Sequence, residues 1–428
     1  MPDAYEGLDT DALRHEVATL EEEANRLRGL DLSLDMARGK PSPEQVALSK
    51  PMLDCLGSSS ELVDEGVDAG NYGTPDGLPA ARRLMAEILG VDAANVSVTG
   101  SSSLSIMYDV VCHAWVHGVQ GERPWSEQGS VRFLCPSPGY DRHFSVTASF
   151  GIENVPVAMG SDGPDMDEVC RLVEGDPSVK GIWCVPKYEN PTGITYSDEV
   201  VRRFASLRPA APDFRIFWDN AYVVHDLEQP GDELLELFSA IAAAGTSDLA
   251  YEFASTSKVT FPGSGIACVA ASAADMADLR ASFSIQRVCP DKLDQLMHVR
   301  YLPDADAVRA HMAEQAAILR PRFDLVERKL TEGLGSLGCA SWTHPRGGYF
   351  VSFEGPEGSA KAIVALMAEL GVKLTGAGAT WPYGKDPHDS NIRIAPTYPS
   401  TADLSQALDV LVVAVKLVSA RLALAARG

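Results

Sequence analysis

This chain of 428 residues has no run approaching the roughly 20 uninterrupted apolar residues that a bilayer-crossing helix needs. Its first 30 residues carry charges throughout and lack the basic start and apolar middle of a signal peptide, so the cytoplasm is the expected location and no membrane partner is expected. There is no Cys-x-x-Cys pair. The eight cysteines (Cys55, Cys112, Cys135, Cys170, Cys184, Cys268, Cys289 and Cys339) are scattered, mostly among apolar neighbours, which reads as buried free thiols and not as disulfides or metal ligands. No Lys/Arg cluster interrupts a formal net charge of −23, a balance that would repel a phosphate backbone and argues against a nucleic-acid partner. Neither GxxxxGK[ST] nor a GxGxxG after a strand occurs, which removes the P-loop and dinucleotide-binding readings. No internal repeat or low-complexity tract is present.

What the chain does have is an apolar fraction of 45% at a length that supports two sizeable domains. Residues 9–28 open on cap-type residues and space Leu13, Val17, Leu20, Ala24 and Leu27 along one face, which predicts an amphipathic helix. From about Asn71 short β-branched or aromatic runs alternate with helical stretches: "NVSVTG", "VRFLCP", "GIWCVP", "FRIFWD", "LAYEFAS" and "IACVAAS". That alternation predicts a mainly parallel sheet covered by helices. Beyond Pro303 the pattern predicts a helical region to about Leu334, interrupted at Pro321, then a smaller α+β unit closed by an apolar helix from about Asp403.

In an open α/β sheet ligands bind beyond the carboxyl ends of the strands. The residues there form a coherent set: Gly100 to Ser103, Pro138 to Tyr140, Asn190 to Gly193, Asp219 to Tyr222, and Ser255 to Lys258. Each has an ordinary reading. "TGSSS" suits a helix cap, "NPTG" a turn, Asp219 an ion pair, and Lys258 a solvated surface lysine. Together they offer more. An amine, a carboxylate, a ring and a small anion cradle at a helix start are what pyridoxal phosphate requires, for its aldehyde, its pyridine nitrogen, its ring face and its phosphate.

With those residues in view, the sequence resembles the fold-type I PLP-dependent aminotransferases of the aspartate aminotransferase superfamily, and most closely a divergent aspartate aminotransferase subgroup. The resemblance runs from "ARGKPS" (Ala37 to Ser42) to "NIRIAPTYP" (Asn391 to Pro399). It implies an α/β fold with a mainly parallel, seven-stranded-type sheet between helices and a smaller α+β domain. The implied division is 51–305 for the large cofactor domain and 306–428 for the small one, joined by an N-terminal segment, 1–50. It also implies that Lys258 takes the cofactor aldehyde and moves the proton, that Asp219 keeps the pyridine nitrogen protonated, and that Tyr222 and Asn190 hydrogen-bond the ring oxygen. Tyr140 would stack on the ring. Gly100, Ser101, Ser102, Ser255 and Ser257 would hold the phosphate, with Tyr72 delivered by the second subunit of a homodimer. Arg393 would grip the substrate α-carboxylate, with Gly39 and Asn190 beside it.

Two points depart from, or go beyond, that pattern. Many relatives carry a phosphate-binding arginine about eight residues after the lysine, but "KVTFPGSGIA" has none; either the hydroxyls and helix N–H groups suffice, or a cation arrives from elsewhere, with Lys292 in "CPDKLDQ" a candidate. A second substrate carboxylate would need another cation, for which Arg38, Arg142 and Arg287 are candidates. The implied reaction is aspartate with 2-oxoglutarate giving oxaloacetate and glutamate, by a ping-pong course with small amino and 2-oxo acids as the only partners besides the second subunit. The alternatives are an aminotransferase for alanine or aromatic amino acids, a PLP-dependent C–S lyase, or a non-catalytic PLP-binding or regulatory protein.

Overall fold

Seven runs rich in Val, Ile, Phe, Trp and Ala pair into one sheet: β1 (Val96–Val98), β2 (Arg132–Ser137), β3 (Glu153–Ala158), β4 (Val179–Cys184), β5 (Arg215–Asp219), β6 (Ala250–Ser255) and β7 (Ala267–Ala271). Their spatial order is β1-β7-β6-β5-β4-β2-β3. Only β7 runs antiparallel to its neighbours β1 and β6. The other pairings are parallel. The structure, a computed structural model, describes Tyr5 and residues 7–427; residues 1–4, Glu6 and Gly428, which fall in the expected terminal segments, lie outside it.

Helices cover both faces of this sheet, so its central strands are buried on both sides and do not alternate. All residues of β4, β5 and β7 are buried. The two cations among them sit near the strand starts and are neutralised there: Lys180 Nζ lies 2.6 Å from Asp213, and Arg215 pairs with Asp275 at 2.8 Å. Burying such charges unpaired would be strongly destabilising. The strand ends, by contrast, keep polar groups without full sets of partners, and there the ligand site forms.

A second, antiparallel sheet contains β8 (Ser341–Trp342), β9 (Val351–Glu354) and β10 (Asn391–Ile394) in that order. The N-terminal helix α1 (Thr10–Arg28), capped by Asp9, is the one the apolar spacing predicts. It packs against the C-terminal helix. After α1 the chain adds Leu34–Asp35 in parallel to Val372–Lys373, so the chain's start belongs structurally with its last third. Helices α2 (Ser103–His117) and α3 (Asp141–Ser149) follow β1 and β2, and their N-termini point at the strand-end rim.

The helical region after Pro303 differs from expectation. Pro321 interrupts nothing; helix α4 runs from Ala305 to Leu334 with the proline inside it. A proline there forfeits one backbone hydrogen bond. Its neighbours compensate: Arg320 donates to the Leu227 carbonyl, and buried Arg322 donates to the Thr397 carbonyl and pairs with Glu44. The cysteines also differ in part. All eight are free, but Cys55, Cys112, Cys170 and Cys289 are only partly buried. Among the described residues no helix is long and apolar enough to cross a membrane.

Candidate active site

A cavity of about 560 Å³ opens where the ends of β4, β5 and β6, the starts of α2 and α3, and the β10 side of the small sheet meet. Its walls include Gly39, Ser102, Tyr140, Asn190, Asp219, Tyr222, Ser255, Ser257, Lys258 and Arg393, ten of the thirteen residues the sequence singles out. The exceptions are Gly100, Ser101 and Tyr72. Gly100 (φ +67°) turns the chain between β1 and α2, a left-handed conformation that favours glycine, and the Ser101 carbonyl accepts a hydrogen bond from Ser257 Oγ at 2.6 Å. Both therefore shape the cavity from behind its wall. Tyr72 is 80% exposed on the outer surface and does not reach this chain's own cavity.

Lys258 sits in the turn after β6. Its side chain enters the cavity, with Nζ 4.8 Å from the centre of the Tyr222 ring, and makes no hydrogen bond or ion pair among the described residues. Burial lowers the amine's pKa below the usual lysine value, opposed in part by the charge of Asp219. The backbone here is pinned: Tyr349 Oη donates to the Lys258 carbonyl at 3.4 Å, and Gln315 Nε2 to the Val259 carbonyl at 3.2 Å.

Asp219 ends β5 and is 3% exposed. One carboxylate oxygen, Oδ2, lies 2.9 Å from His143 Nε2; the other, Oδ1, is buried without a partner. A buried carboxylate oxygen left unpaired is costly unless a donor arrives. His143 is the functional residue the sequence reading misses. It lies three positions after Tyr140, so the first turn of α3 brings both rings to the same side, 4.8 Å apart. Trp183 stacks on His143 from the other side at 4.5 Å. The Tyr140 hydroxyl is pushed up to about 12 by burial and by Asp219, so it stays protonated.

At the anion end, Ser102 caps α2 by position but makes no side-chain capping bond, which leaves that helix start free for an incoming acceptor. Ser255 Oγ donates to Ser257 Oγ at 3.3 Å. Lys292 is a correction. Its ammonium is buried against the carbonyls of Asp68 (2.9 Å) and Tyr72 (3.4 Å), away from the cavity, so it does not replace the missing arginine in this chain's own site.

At the opposite end, Arg393 on β10 lies over the Phe350 ring at 4.9 Å and bonds Asp141, Asn190 and Thr375. Of the three further arginines considered, Arg38 and Arg142 line the cavity and have no partner among the described residues. Arg287 does not line it; it lies over Phe283 and 3.9 Å from Asp109.

A mainly parallel sheet that presents a partly buried lysine and a buried, half-paired aspartate to one cavity defines a transferase of the PLP fold type I. The relationship is specific. The model of the family described as aspartate amino-transferase matches residues 8–427, and the chain belongs to that family and is an aminotransferase. The chain is 41% identical over 397 residues to an aspartate aminotransferase of Corynebacterium glutamicum, covering 92% of each. The crystal structure of an aspartate transaminase from that organism matches with a TM-score of 0.94 at 39% identity, over 97% of this chain and 98% of that one. The fold also matches LysN, an α-aminoadipate aminotransferase of Thermus thermophilus complexed with N-(5'-phosphopyridoxyl)-L-leucine, with a TM-score of 0.73 at 20% identity over 92% and 94%.

Proposed function

We propose that this enzyme is a pyridoxal-phosphate-dependent aspartate:2-oxoglutarate aminotransferase. The observation that carries the reading is the buried, unpartnered Asp219 Oδ1 on the wall of the cavity that also receives the Lys258 amine. An acceptor without a donor and an amine without an acid suit a group that supplies both a ring N–H and an aldehyde.

The residues fit that cofactor. Asp219, held by His143, suits the pyridine nitrogen; Tyr222 and Asn190 suit the ring oxygen, and Tyr140 the ring face. The start of α2 with Ser102, Ser255 and Ser257 suits the phosphate. When bound, the cofactor supplies an electron sink for the bond broken at the substrate Cα. Lys258 Nζ, free of hydrogen bonds, would take up the Cα proton; burial lowers its pKa, the direction that favours the neutral amine a base needs. Asp219, with Oδ1 free, would stabilise a proton on the ring nitrogen. Arg393 orients the α-carboxylate, with Gly39 leaving room for the Phe350 ring beneath it.

For the substrate, support comes from Arg38 and Arg142. Two unpaired guanidinium groups on a cavity wall suit a second carboxylate, as aspartate and glutamate carry. The exposure of Tyr72, with its carbonyl fixed by Lys292, supports a homodimer in which each subunit lends that ring to its neighbour. The same reading treats 51–305 as the large domain and 306–428 with 1–50 as the small one, and places the enzyme in the cytoplasm.

The test is a half-reaction screen. Holoenzyme is mixed with each amino acid in turn while the absorbance of the cofactor's aldehyde form is followed. Rapid loss with aspartate and glutamate alone supports the reading, whereas equal rates with alanine or phenylalanine overturn the substrate assignment. Undiminished multiple turnover by Lys258→Ala would overturn the role of the lysine.

A further inference from the structure

Arg393 already holds a carboxylate. Its Nη1 donates to Asp141 Oδ1 at 3.0 Å and to Asn190 Oδ1 at 3.1 Å, and its Nη2 donates to Thr375 Oγ1 at 3.2 Å. Only Nε, buried, has no partner. Of the three acceptors, Asn190 and Thr375 are neutral. Asp141 cancels the one charge that is meant to attract an anion. The two ends of this ion pair come from different parts of the fold: Asp141 is the first residue of α3, on the large-sheet side, and Arg393 lies in β10 of the small sheet.

We propose that Asp141 is an internal competitor for the substrate α-carboxylate, occupying Arg393 until substrate displaces it and thereby setting the affinity for every carboxylate that enters. The inference rests on the reading of Arg393 as the α-carboxylate site. Three features make displacement feasible. The Asp141 side chain is 33% exposed, against 7% for Arg393, so the aspartate is the partner that can return to water. As the first residue of α3 it keeps the favourable interaction of an acid with a helix N-terminus when it lets go. Its carboxylate makes no other hydrogen bond or ion pair among the described residues, so its release breaks nothing else. The incoming carboxylate can take Nη1 and Nη2 together, end-on, forming the bidentate pair that a planar guanidinium favours and displacing Asp141 from Nη1. A monodentate, partly exposed pair is thus exchanged for a bidentate one. Asn190 and Thr375, being uncharged, can stay as spectators that hold the guanidinium plane.

The test uses holoenzyme and two unreactive probes, succinate and propionate, with binding read by calorimetry and by the cofactor absorbance. Since both probes carry the carboxylate that Arg393 would grip, Asp141→Asn should bind each roughly 2- to 5-fold more tightly than wild type, the scale of a partly exposed ion pair. The KM for aspartate should fall in the same variant. Asp141→Ala provides a second removal of the charge without an amide to replace it. The proposal is overturned if both variants, with melting temperatures matching wild type, bind the probes no more tightly. Arg393→Ala separates the two layers. Loss of propionate binding there, with no tightening in the Asp141 variants, sinks the competitor role alone; unchanged propionate binding sinks the assignment of Arg393 and the inference with it.

Discussion

His143 Nε2 lies 2.9 Å from Asp219 Oδ2, both side chains are at least 96% buried, and the remaining oxygen of the aspartate is left for a ligand. The histidine is held flat against Trp183, so the carboxylate is aimed from behind by a ring that cannot easily rotate. His143→Ala should therefore weaken cofactor retention by roughly 10- to 100-fold, the scale of one hydrogen bond to a charged group. Asp219→Ala should cost more, about 3–5 kcal/mol, because it breaks a buried pair and removes the ring-nitrogen partner. Equilibrium dialysis against pyridoxal phosphate measures both, and equal retention by all three proteins would contradict the role given to the pair.

Gly39 owes its place to the ring of Phe350. A Cβ added at position 39 would sit 2.4 Å from Phe350 Cζ, and that ring in turn lies under the Arg393 guanidinium. Gly39→Ala should push the ring and tilt the arginine, at an overpacking cost of about 1–3 kcal/mol. The expected result is a raised KM for aspartate and for 2-oxoglutarate together, since both present the same α-carboxylate. Steady-state kinetics with each substrate varied in turn checks this.

Glu252, in β6, is buried, accepts a hydrogen bond from Asn220 Nδ2 at 2.9 Å on Oε1, and has no partner on Oε2. Desolvation pushes its pKa up from 4.5 to about 8. A carboxyl whose pKa is raised by folding contributes stability that is complete below the unfolded value and is lost as pH climbs through the folded one. Between pH 5 and pH 8 the wild type should accordingly lose stability at this site while Glu252→Gln does not. The difference between their unfolding free energies, measured by urea titration, should widen in favour of the glutamine variant as pH rises, by on the order of 1–4 kcal/mol. A constant difference across that range would show that the carboxyl titrates normally.

If Tyr72 serves the neighbouring subunit, two defective chains can complement each other. Tyr72→Ala and Lys258→Ala homodimers should each be impaired. Mixing them under conditions that exchange subunits should restore activity above the sum of the two, because a hybrid carries one site with both residues intact. Absence of any gain, with hybrids demonstrated by mass spectrometry, would place Tyr72 outside the site.

Much of this architecture was legible in the chain because it obeys simple periodicities. The strands are short apolar runs, and their last residues, Asp219 and Ser255 among them, mark the rim directly. Helix α1 was visible from Leu13, Leu20, Ala24 and Leu27 because one helix face packs against one neighbour. What could not be read is what depends on distant parts of the chain. The Pro321 rule failed because Leu227, Thr397 and Glu44 supply compensating contacts that no local window contains. His143 was passed over because a histidine in the first turn of a helix has many ordinary uses, and only Asp219, 76 residues later, gives it one here. Lys292 is a candidate for the missing phosphate cation by charge alone, yet its ammonium meets two main-chain carbonyls, those of Asp68 and Tyr72.

The clamp on the lysine's peptide has a mechanical consequence. Neutral groups from Tyr349 and Gln315, both outside the large sheet, hold the carbonyls of Lys258 and Val259, so the main chain at this point is a fixed handle. Any travel of the amine between its tasks has to be carried by rotations along its own methylene arm, which keeps the stroke short, repeatable and independent of how the rest of the turn breathes.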